Sequence, residues 1–345
     1  FYRIMKNNSR KRIIYLITAF IVLLGGIAYA LSDRYLIEHV EVAQVSLPTA
    51  IALNTPTASP AAADQNGQTD EIAVTTEPSV RLDDWNYISP TLTIAISQHT
   101  QGTGSDQITY FVADVTLTDA TQLLSAFAED KFGENIIAYT SAIAEDHNAL
   151  FAINGDYYGF RDDGIIIRNG VIYRDVPVRT GLAFYKDGSV EIYDETSTSA
   201  QKLVDAGVWN TLSFGPALIE NGQITSNFAQ VEIDTNFGNH SIQGNNPRTG
   251  IGIIDANHFI FIVVDGRSTG YSRGMSLNEF AQLFADYGCQ SAYNIDGGGS
   301  STMYFNGQVV NNPLGRNKER GTSDILMISI PSVSSQTSLS ISPLQ

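Results

Sequence analysis

An apolar run that ends in an aspartate and three glycines constrains the fold of this chain most strongly. The run covers residues 292–295, and it leads into Asp296, Gly297, Gly298, Gly299, Ser300 and Ser301. Glycines permit left-handed backbone and a close approach of the main chain to a ligand. Consecutive free N–H groups form a concave donor array that suits an anion. The segment therefore predicts an oxyanion or sugar-phosphate site, with a tight glycine-rich turn as the alternative.

Two earlier apolar runs end in the same way. Residues 149–153 lead into Asn154, Gly155 and Asp156, and residues 259–264 lead into Asp265, Gly266 and Arg267. Three strand candidates thus each carry an aspartate and a glycine at their carboxyl end. Ligands of α/β sheets bind outside these strand ends.

A helix is predicted over residues 277–287, between the second and third of these strands. Ser276 and Glu279 have the spacing of a capping box, and Gly288 supplies the stop. A strand–helix–strand unit makes a right-handed crossover between parallel strands. We therefore expect Asp265 and Asp296 at the same sheet edge. The capping box explains Glu279 without a catalytic role.

The remaining pattern predicts an α+β fold with a large mixed β-sheet and few helices, one βαβ crossover near the active-site edge, and a single N-terminal transmembrane helix before it. Dense turn signals support the strands. They are Asn169-Gly170, Asp187-Gly188, Asn221-Gly222 and Asn306-Gly307. Two further helices are predicted over residues 120–130 and 141–147.

The N-terminal part has the composition of an anchor and a linker. Residues 13–31 form an apolar run long enough to span a bilayer, and a basic flank precedes it. A cleaved signal peptide is the alternative, because residues 28–30 read Ala-x-Ala. The predicted divisions are a cytoplasmic end (1–12), the anchor (13–31), a disordered extracellular linker (32–81), a catalytic domain (82–331) and a flexible tail (332–345).

Charge limits the choice of ligand. The chain has 20 basic and 36 acidic residues, and five of the basic residues precede the apolar run. The part after the run therefore carries 15 basic residues and a net charge of −21. Such a surface repels polyanions, which argues against nucleic-acid binding. An anionic substrate would need a local cationic pocket, and Arg248, Arg267 and Arg320 are the arginines within motifs that suit it.

An ordered series of motifs resembles the phosphodiester glycosidase family over residues 90–330. The motifs cover residues 154–158, 164–170, 214–218, 246–252, 264–267, 274–277, 296–301, 312–313 and 320–328. The resemblance implies cleavage of a glycosidic C1–O bond whose leaving group is a phosphate ester. Cys289 is the single cysteine. It therefore forms no internal disulfide, and we expect a small buried apolar residue.

The chemistry assigns candidate roles at the strand ends. An oxocarbenium-like sugar needs a carboxylate, and the candidates are Asp296, Asp265 and Asp156. A departing phosphodiester needs cationic or N–H stabilisation rather than a strong acid. The substrate-binding candidates are Arg248, Arg320, Arg267, Asn154, Gly297, Gly298, Gly299, Ser300, Ser301 and His240. Turn capping is the alternative for each aspartate, and an ion pair is the alternative for each arginine.

Other candidates remain open. His240 lies in a polar loop before Arg248 and is either a general acid–base or an exposed loop histidine. Tyr157 and Tyr158 either stack on a sugar or belong to the core. No strong metal motif is present, so no cofactor is predicted, although carboxylates could bind Ca²⁺ or Mg²⁺.

The leading hypothesis is a membrane-tethered extracellular hydrolase of sugar-1-phosphodiesters, of the N-acetylglucosamine type or within a cell-wall polysaccharide or exopolysaccharide. The alternatives are a non-catalytic phosphoglycan-binding module and a metal-dependent phosphodiesterase. The sequence does not decide between retention and inversion or predict the oligomeric state.

Overall fold

The structure is a computed structural model that describes residues 2–48, 80–226, 228–231, 233 and 241–330, with side chains described from residue 13. Its helices are α1 Tyr2–Tyr35, α2 Thr140–Asp146, α3 Ala200–Asp205 and α4 Leu277–Asp286. The predicted tail, most of the linker and His240 lie outside the described residues.

The described residues also form twenty-one strands. The first eleven are β1 His39–Val42, β2 Arg81–Leu82, β3 Asn86–Ile88, β4 Leu92–Gln101, β5 Ile108–Leu117, β6 Leu124–Phe127, β7 Phe132–Glu134, β8 Ala149–Asn154, β9 Gly164–Arg168, β10 Val171–Val176 and β11 Thr180–Tyr185. The others are β12 Val190–Asp194, β13 Val208–Leu212, β14 Ala217–Glu220, β15 Gln223–Ile224, β16 Arg248–Asp255, β17 His258–Val264, β18 Ser291–Ile295, β19 Met303–Phe305, β20 Gln308–Val309 and β21 Asp324–Ser329. The predicted α+β class is therefore confirmed.

A nine-stranded sheet and a five-stranded sheet form the body of the domain. Their strand orders are β15-β14-β18-β16-β17-β5-β4-β3-β2 and β20-β19-β8-β21-β6. β17 and β18 both pair antiparallel with β16, so they run in the same direction with β16 between them. The crossover through α4 is thus present, while the strands that pair directly in the described part of the chain are all antiparallel.

The nine-stranded sheet is buried on both faces. In β17, Phe259, Phe261 and Val263 belong to the core between the two sheets. Ile260 and Ile262 alternate with them and pack in the core that contains α4. This two-sided burial explains why β17 is a continuous apolar run instead of an alternating one.

Close packing of α4 on β16 requires small residues in the strand. A Cβ at Gly250 would lie 2.8 Å from the Phe280 ring, and one at Gly252 would lie 2.4 Å from the Cys289 sulfur. Cys289 is buried, as predicted. α4 begins with the predicted capping box between Ser276 and Glu279.

The helix predicted over residues 120–130 is wrong. Asp119 caps only a single turn, and β6 follows and pairs with β21. Glu129 and Asp130 then adopt positive φ angles of 56° and 55°. Cross-strand pairing and burial override the local helical pattern in this segment. The other predicted helices, 141–147 and 277–287, correspond to α2 and α4, and all four predicted turn signals join paired strands.

The N-terminal segment begins with one long apolar helix, and its division into anchor and linker stays a prediction. Residues 13–35 of α1 are long and apolar enough to cross a membrane, a test that a signal sequence also passes. The segment that follows, within the predicted linker, forms β1, which pairs with β7 in the domain.

Candidate active site

Three chain segments meet at one edge of the nine-stranded sheet. β17 ends before Asp265, β18 ends before Asp296, and the antiparallel β16 begins there with Arg248. The register pairs Arg248 with Val264 and Thr249 with Ile295. The sequence therefore correctly placed Asp265 and Asp296 at the same sheet edge.

Asn154 joins this edge to the second sheet. Its amide nitrogen donates to the carbonyl of Asp296 at 2.7 Å. Its amide oxygen accepts from the Thr249 hydroxyl at 2.8 Å and from the Thr302 N–H at 3.2 Å. Because Asn154 is fully buried, these contacts fix the backbone that carries the Asp296 carboxylate.

Asp296, Arg320 and Ser300 form a compact polar group. Arg320 Nη2 lies 3.0 Å from one carboxylate oxygen of Asp296 and 3.3 Å from the other. The same nitrogen donates to Ser300 Oγ at 2.7 Å, and Arg320 Nε donates to it at 3.0 Å. Arg320 thus connects the carboxylate to the glycine-rich segment.

The glycines of this segment allow close packing. The N–H groups of Gly298 and Ser300 donate to carbonyls of Pro247 and Gly297, so they are not free to form the predicted anion-binding array. A Cβ at Gly297 would lie 2.8 Å from the Pro247 carbonyl oxygen, and one at Gly299 would lie 3.1 Å from Arg320 Cβ. The segment therefore holds Arg320 and the start of β16 against Asp296.

Arg248 is a buried cation, only 3 % exposed. Its guanidinium donates to three backbone carbonyls, those of Met275, Ile242 and Gly244, at 2.8–2.9 Å. It makes no ion pair with a carboxylate of the described residues. Burial lowers the pKa of Arg248 to about 10, and the nearby charge of Arg267 adds to this effect. Its positive charge is therefore held in place without a described counterion.

Arg267 provides a third guanidinium. It lies next to Gly298, and its Nη2 donates to Asn246 Oδ1 at 2.8 Å. Burial and the charge of Arg320 lower the pKa of Arg267, and Asp296 partly offsets them. The neighbouring positive charges repel one another, so an anion bound between them would stabilise the site.

An open cleft lies between these groups. Its described charged lining residues are Arg248, Arg267, Arg320 and Asp296, which is an excess of two positive charges. Tyr157 and Phe214 provide an aromatic wall, and Gly297 and Gly298 contribute backbone. The cleft is therefore cationic, although the domain around it is acidic.

Asp265 lies behind the cleft and does not line it. Its carboxylate accepts from Asn311 Nδ2 at 2.7 Å, from the Tyr271 hydroxyl at 2.7 Å and from the Asn312 N–H at 2.9 Å. Burial raises the pKa of Asp265 to about 6, although these three donors oppose the shift. Asp265 is thus ionised at neutral pH and holds two loops together.

Asp156 is buried on the other side of the aromatic wall. Its carboxylate accepts from the N–H groups of Ser213 and Tyr157, both at 2.6 Å, and pairs with Arg161 at 3.3 Å. The Arg161 guanidinium lies 5.6 Å from the ring centres of both Tyr157 and Phe214. Asp156 therefore supports the wall from behind.

Other predicted residues are divided between cleft and core. Ser300 and Ser301 are buried beside the cleft, and Tyr158 belongs to an aromatic core cluster. Phe214 and Asn294 also line the cleft but were not predicted as site residues, although Phe214 lies in the motif at residues 214–218 and Asn294 in the apolar run at residues 292–295. Asn294 is 1 % exposed, and its side-chain oxygen has no described hydrogen-bond partner. In the described part of the chain, no group of three His, Cys, Asp or Glu residues could hold a metal ion.

The phosphodiester glycosidase (NAGPA) family model matches residues 147–329, so the chain belongs to the phosphodiester glycosidase family. A Bacillus subtilis protein, the SPbeta prophage-derived uncharacterized protein YomE, is 30 % identical over 199 residues. This match covers 55 % of the present chain and 29 % of YomE.

A solved structure shares the fold. It is the catalytic domain of zebrafish N-acetylglucosamine-1-phosphodiester alpha-N-acetylglucosaminidase, auto-inhibited by its pro-peptide. The superposition has a TM-score of 0.55 at 22 % identity, and it covers 74 % of this chain and 87 % of that one.

Proposed function

We propose that the protein is a membrane-tethered extracellular hydrolase that cleaves the C1–O bond of a sugar-1-phosphodiester. The observation that carries this proposal is the cleft, in which one carboxylate lies among three guanidinium groups. A sugar phosphodiester needs both, because its phosphate is anionic and its sugar centre becomes cationic during cleavage.

Arg248 and Arg267 hold the phosphate in this proposal. Neither forms an ion pair with a described carboxylate; the charge of Arg267 contributes to the lowered pKa of Arg248, and the charge of Arg320 contributes to the lowered pKa of Arg267. A phosphate between them would relieve that repulsion and stabilise the departing oxygen. Since a phosphate ester leaves as a stable anion, the site needs no strong general acid.

Asp296 acts at the sugar centre. Its carboxylate pairs with Arg320 at 3.0 Å, and it stabilises positive charge at C1 or activates water. Water then supplies the hydroxyl that joins C1 and a proton that ends on the phosphate or in solvent, giving a free sugar and a phosphomonoester. Asp265 and Asp156 act as positioning residues, since their carboxylates are occupied by neighbouring donors.

The proposed location follows from α1. Its apolar residues 13–35 are exposed and long enough to span a bilayer, and five basic residues precede them. Basic flanks stay in the cytoplasm, which places the domain outside. A substrate within a cell-wall polysaccharide or exopolysaccharide would be accessible there.

The test uses the full chain in detergent with UDP-N-acetylglucosamine and a panel of sugar-1-phosphodiesters. We expect release of free sugar that survives a chelator and is lost in Asp296→Asn. In ¹⁸O-labelled water, the label should enter the sugar.

Other results would identify the alternatives. Label in the phosphate would show P–O cleavage and, together with loss of activity in chelator, a metal-dependent phosphodiesterase. Ligand binding without any release of sugar would instead indicate a phosphoglycan-binding module.

A further inference from the structure

The chain enters the domain immediately after α1. β1 pairs with β7, with His39 opposite Glu134 and Val40 opposite Gly133. Further along, the Val45 N–H donates to the Asp130 carbonyl at 2.7 Å. Because α1 ends at Tyr35, only three residues separate the helix from its first paired strand. The domain therefore lies directly at the end of the helix.

The domain also binds the last turn of α1 itself. Asn135 Nδ2 donates to the carbonyls of Asp33 at 3.2 Å and Ile37 at 2.8 Å. Glu41 pairs with Arg174 at 3.0 Å, and the Arg174 side chain is only 6 % exposed. These contacts restrict how far the domain can turn relative to the helix.

Exposed apolar side chains surround this junction. Ile137 and Tyr139 are 44 % and 50 % exposed, whereas their neighbours Ile136 and Ala138 pack in the core. Three exposed residues that follow α1 complete this group. We call it the membrane-facing surface, and its members are Leu36, Ile37, Val40, Ile137 and Tyr139. Apolar residues with an aromatic at the end of a spanning helix suit the lipid–water interface.

The same segment leads to the cleft. Ala138 and Thr322 exchange backbone hydrogen bonds at 3.1 and 2.8 Å. Ile137 packs against Gly321, which precedes Thr322 and follows Arg320. From Asn135 to Arg320 the path is five residue steps along the chain and one step across the bridge between Ala138 and Thr322, at most roughly 20 Å in all. The Arg320 side of the cleft is therefore next to the membrane-facing surface.

We infer that the membrane-facing surface rests on the lipid bilayer and that the cleft takes sugar-1-phosphodiesters whose phosphate carries a membrane-anchored group. This inference rests on the proposed function, because it names the substrate class of the same site. A cleft held at the bilayer meets anchored substrates at a high effective concentration. Because this surface continues directly from the end of α1, which spans the bilayer in the proposed function, lipid is the partner that would cover it.

The first test measures contact with lipid. The full chain is placed in phosphatidylcholine nanodiscs, and an environment-sensitive dye is attached to Ile137→Cys or, as control, Ala256→Cys. Ala256 is exposed at the far end of β16 from Arg248, and Cys289 is only 3 % exposed and stays unlabelled. Spin-labelled lipid should quench the dye at position 137 several-fold more than at position 256. Equal quenching would overturn the membrane-facing surface.

The second test measures substrate class in the same discs. Two phosphodiesters carry the same sugar, and the aglycone is a lipid in one and a short alcohol in the other. Tyr139→Asp should reduce hydrolysis of the lipid substrate at least tenfold and leave the soluble substrate unchanged, while Ala256→Asp affects neither. Equal effects of Tyr139→Asp on both substrates would overturn the substrate class. Quenching at position 137 without hydrolysis of either substrate would support the surface and reject the proposed function.

Discussion

At the residue scale, one carboxylate of the three predicted at strand ends lines the cleft. The motif pattern made candidates of Asp296, Asp265 and Asp156, because each follows an apolar run, and the glycines beside Asp296 placed it first. Their roles differ through long-range contacts that no local pattern contains. The side chains of Asn311 and Tyr271 donate hydrogen bonds to the Asp265 carboxylate, and the Ser213 N–H donates one to the Asp156 carboxylate. The three predicted arginines, Arg248, Arg267 and Arg320, all line the cleft.

Asp296→Asn should lower kcat by about 10³-fold, in the range by which a positioned acid–base group accelerates a reaction. The amide keeps the shape of the side chain but cannot stabilise the cationic sugar centre. Sugar release and thermal unfolding would be measured side by side. Asp114→Asn, which changes an exposed carboxylate paired with His258, is the control and should retain full activity.

Asp265 should make stability depend on pH. Its folded pKa is raised to about 6 from an ordinary value of 3.8. Between these values the folded protein keeps a proton that the unfolded chain has released, so stability from this group falls as the pH rises. Asp265 thereby contributes about 3 kcal/mol to the free energy of unfolding. This contribution is complete below pH 3.8 and is lost above about pH 6.

Urea unfolding of wild type and Asp265→Asn across this pH window would measure the effect. The difference in unfolding free energy between the two proteins should change with pH. A difference that stays constant from pH 4 to 7 would contradict the assignment.

At the scale of elements, local signals predicted the structure where they were sufficient by themselves. The Asn-Gly turns and the capping box of α4 are determined by a few adjacent residues, and the structure contains them all. β6 and β1 depend on partners far along the chain, β21 and β7. The sequence patterns therefore predicted a helix where β6 lies and did not predict β1.

Ser276→Ala should lower the free energy of unfolding by about 1 kcal/mol, the usual cost of losing an N-cap. The Ser276 hydroxyl oxygen accepts a hydrogen bond from the Glu279 N–H at 3.3 Å, and the Glu279 carboxylate accepts one from the Ser276 N–H at 2.9 Å. Urea unfolding would measure the change. Ser199→Ala is the matched control, because Ser199 caps the six-residue α3 through one 3.4 Å contact and its loss should cost less.

At the scale of the whole molecule, the chain combines an acidic domain with a cationic cleft and a firm junction to α1. The net charge after the apolar run is −21, while the described lining of the cleft has an excess of two positive charges. Composition predicted the need for such a pocket. It could not predict the junction, which depends on the side chain of Asn135 reaching two carbonyls at the helix end.

Asn135→Gly should loosen that junction. Glycine removes both hydrogen bonds but tolerates the positive φ of 60° at this position. A dye at Ala256→Cys, in nanodiscs, should then show a faster decay of fluorescence anisotropy. Asn317→Gly, at another positive φ of 50°, should leave the decay unchanged; the same acceleration in both variants would contradict the proposed role of Asn135.

The pairing of β1 with β7 also affects how the domain could be shed from a cell. β1 precedes residues 49–79 in the chain, and the rest of the domain follows them. A single backbone cut between residues 48 and 80 would divide the polypeptide, yet β1 would still hold the larger fragment through its strand hydrogen bonds and the contact of Glu41 with Arg174. The larger fragment would leave the membrane only after β1 had separated from β7. The rate of its release would therefore be set by the unpairing of this short strand and not by the protease.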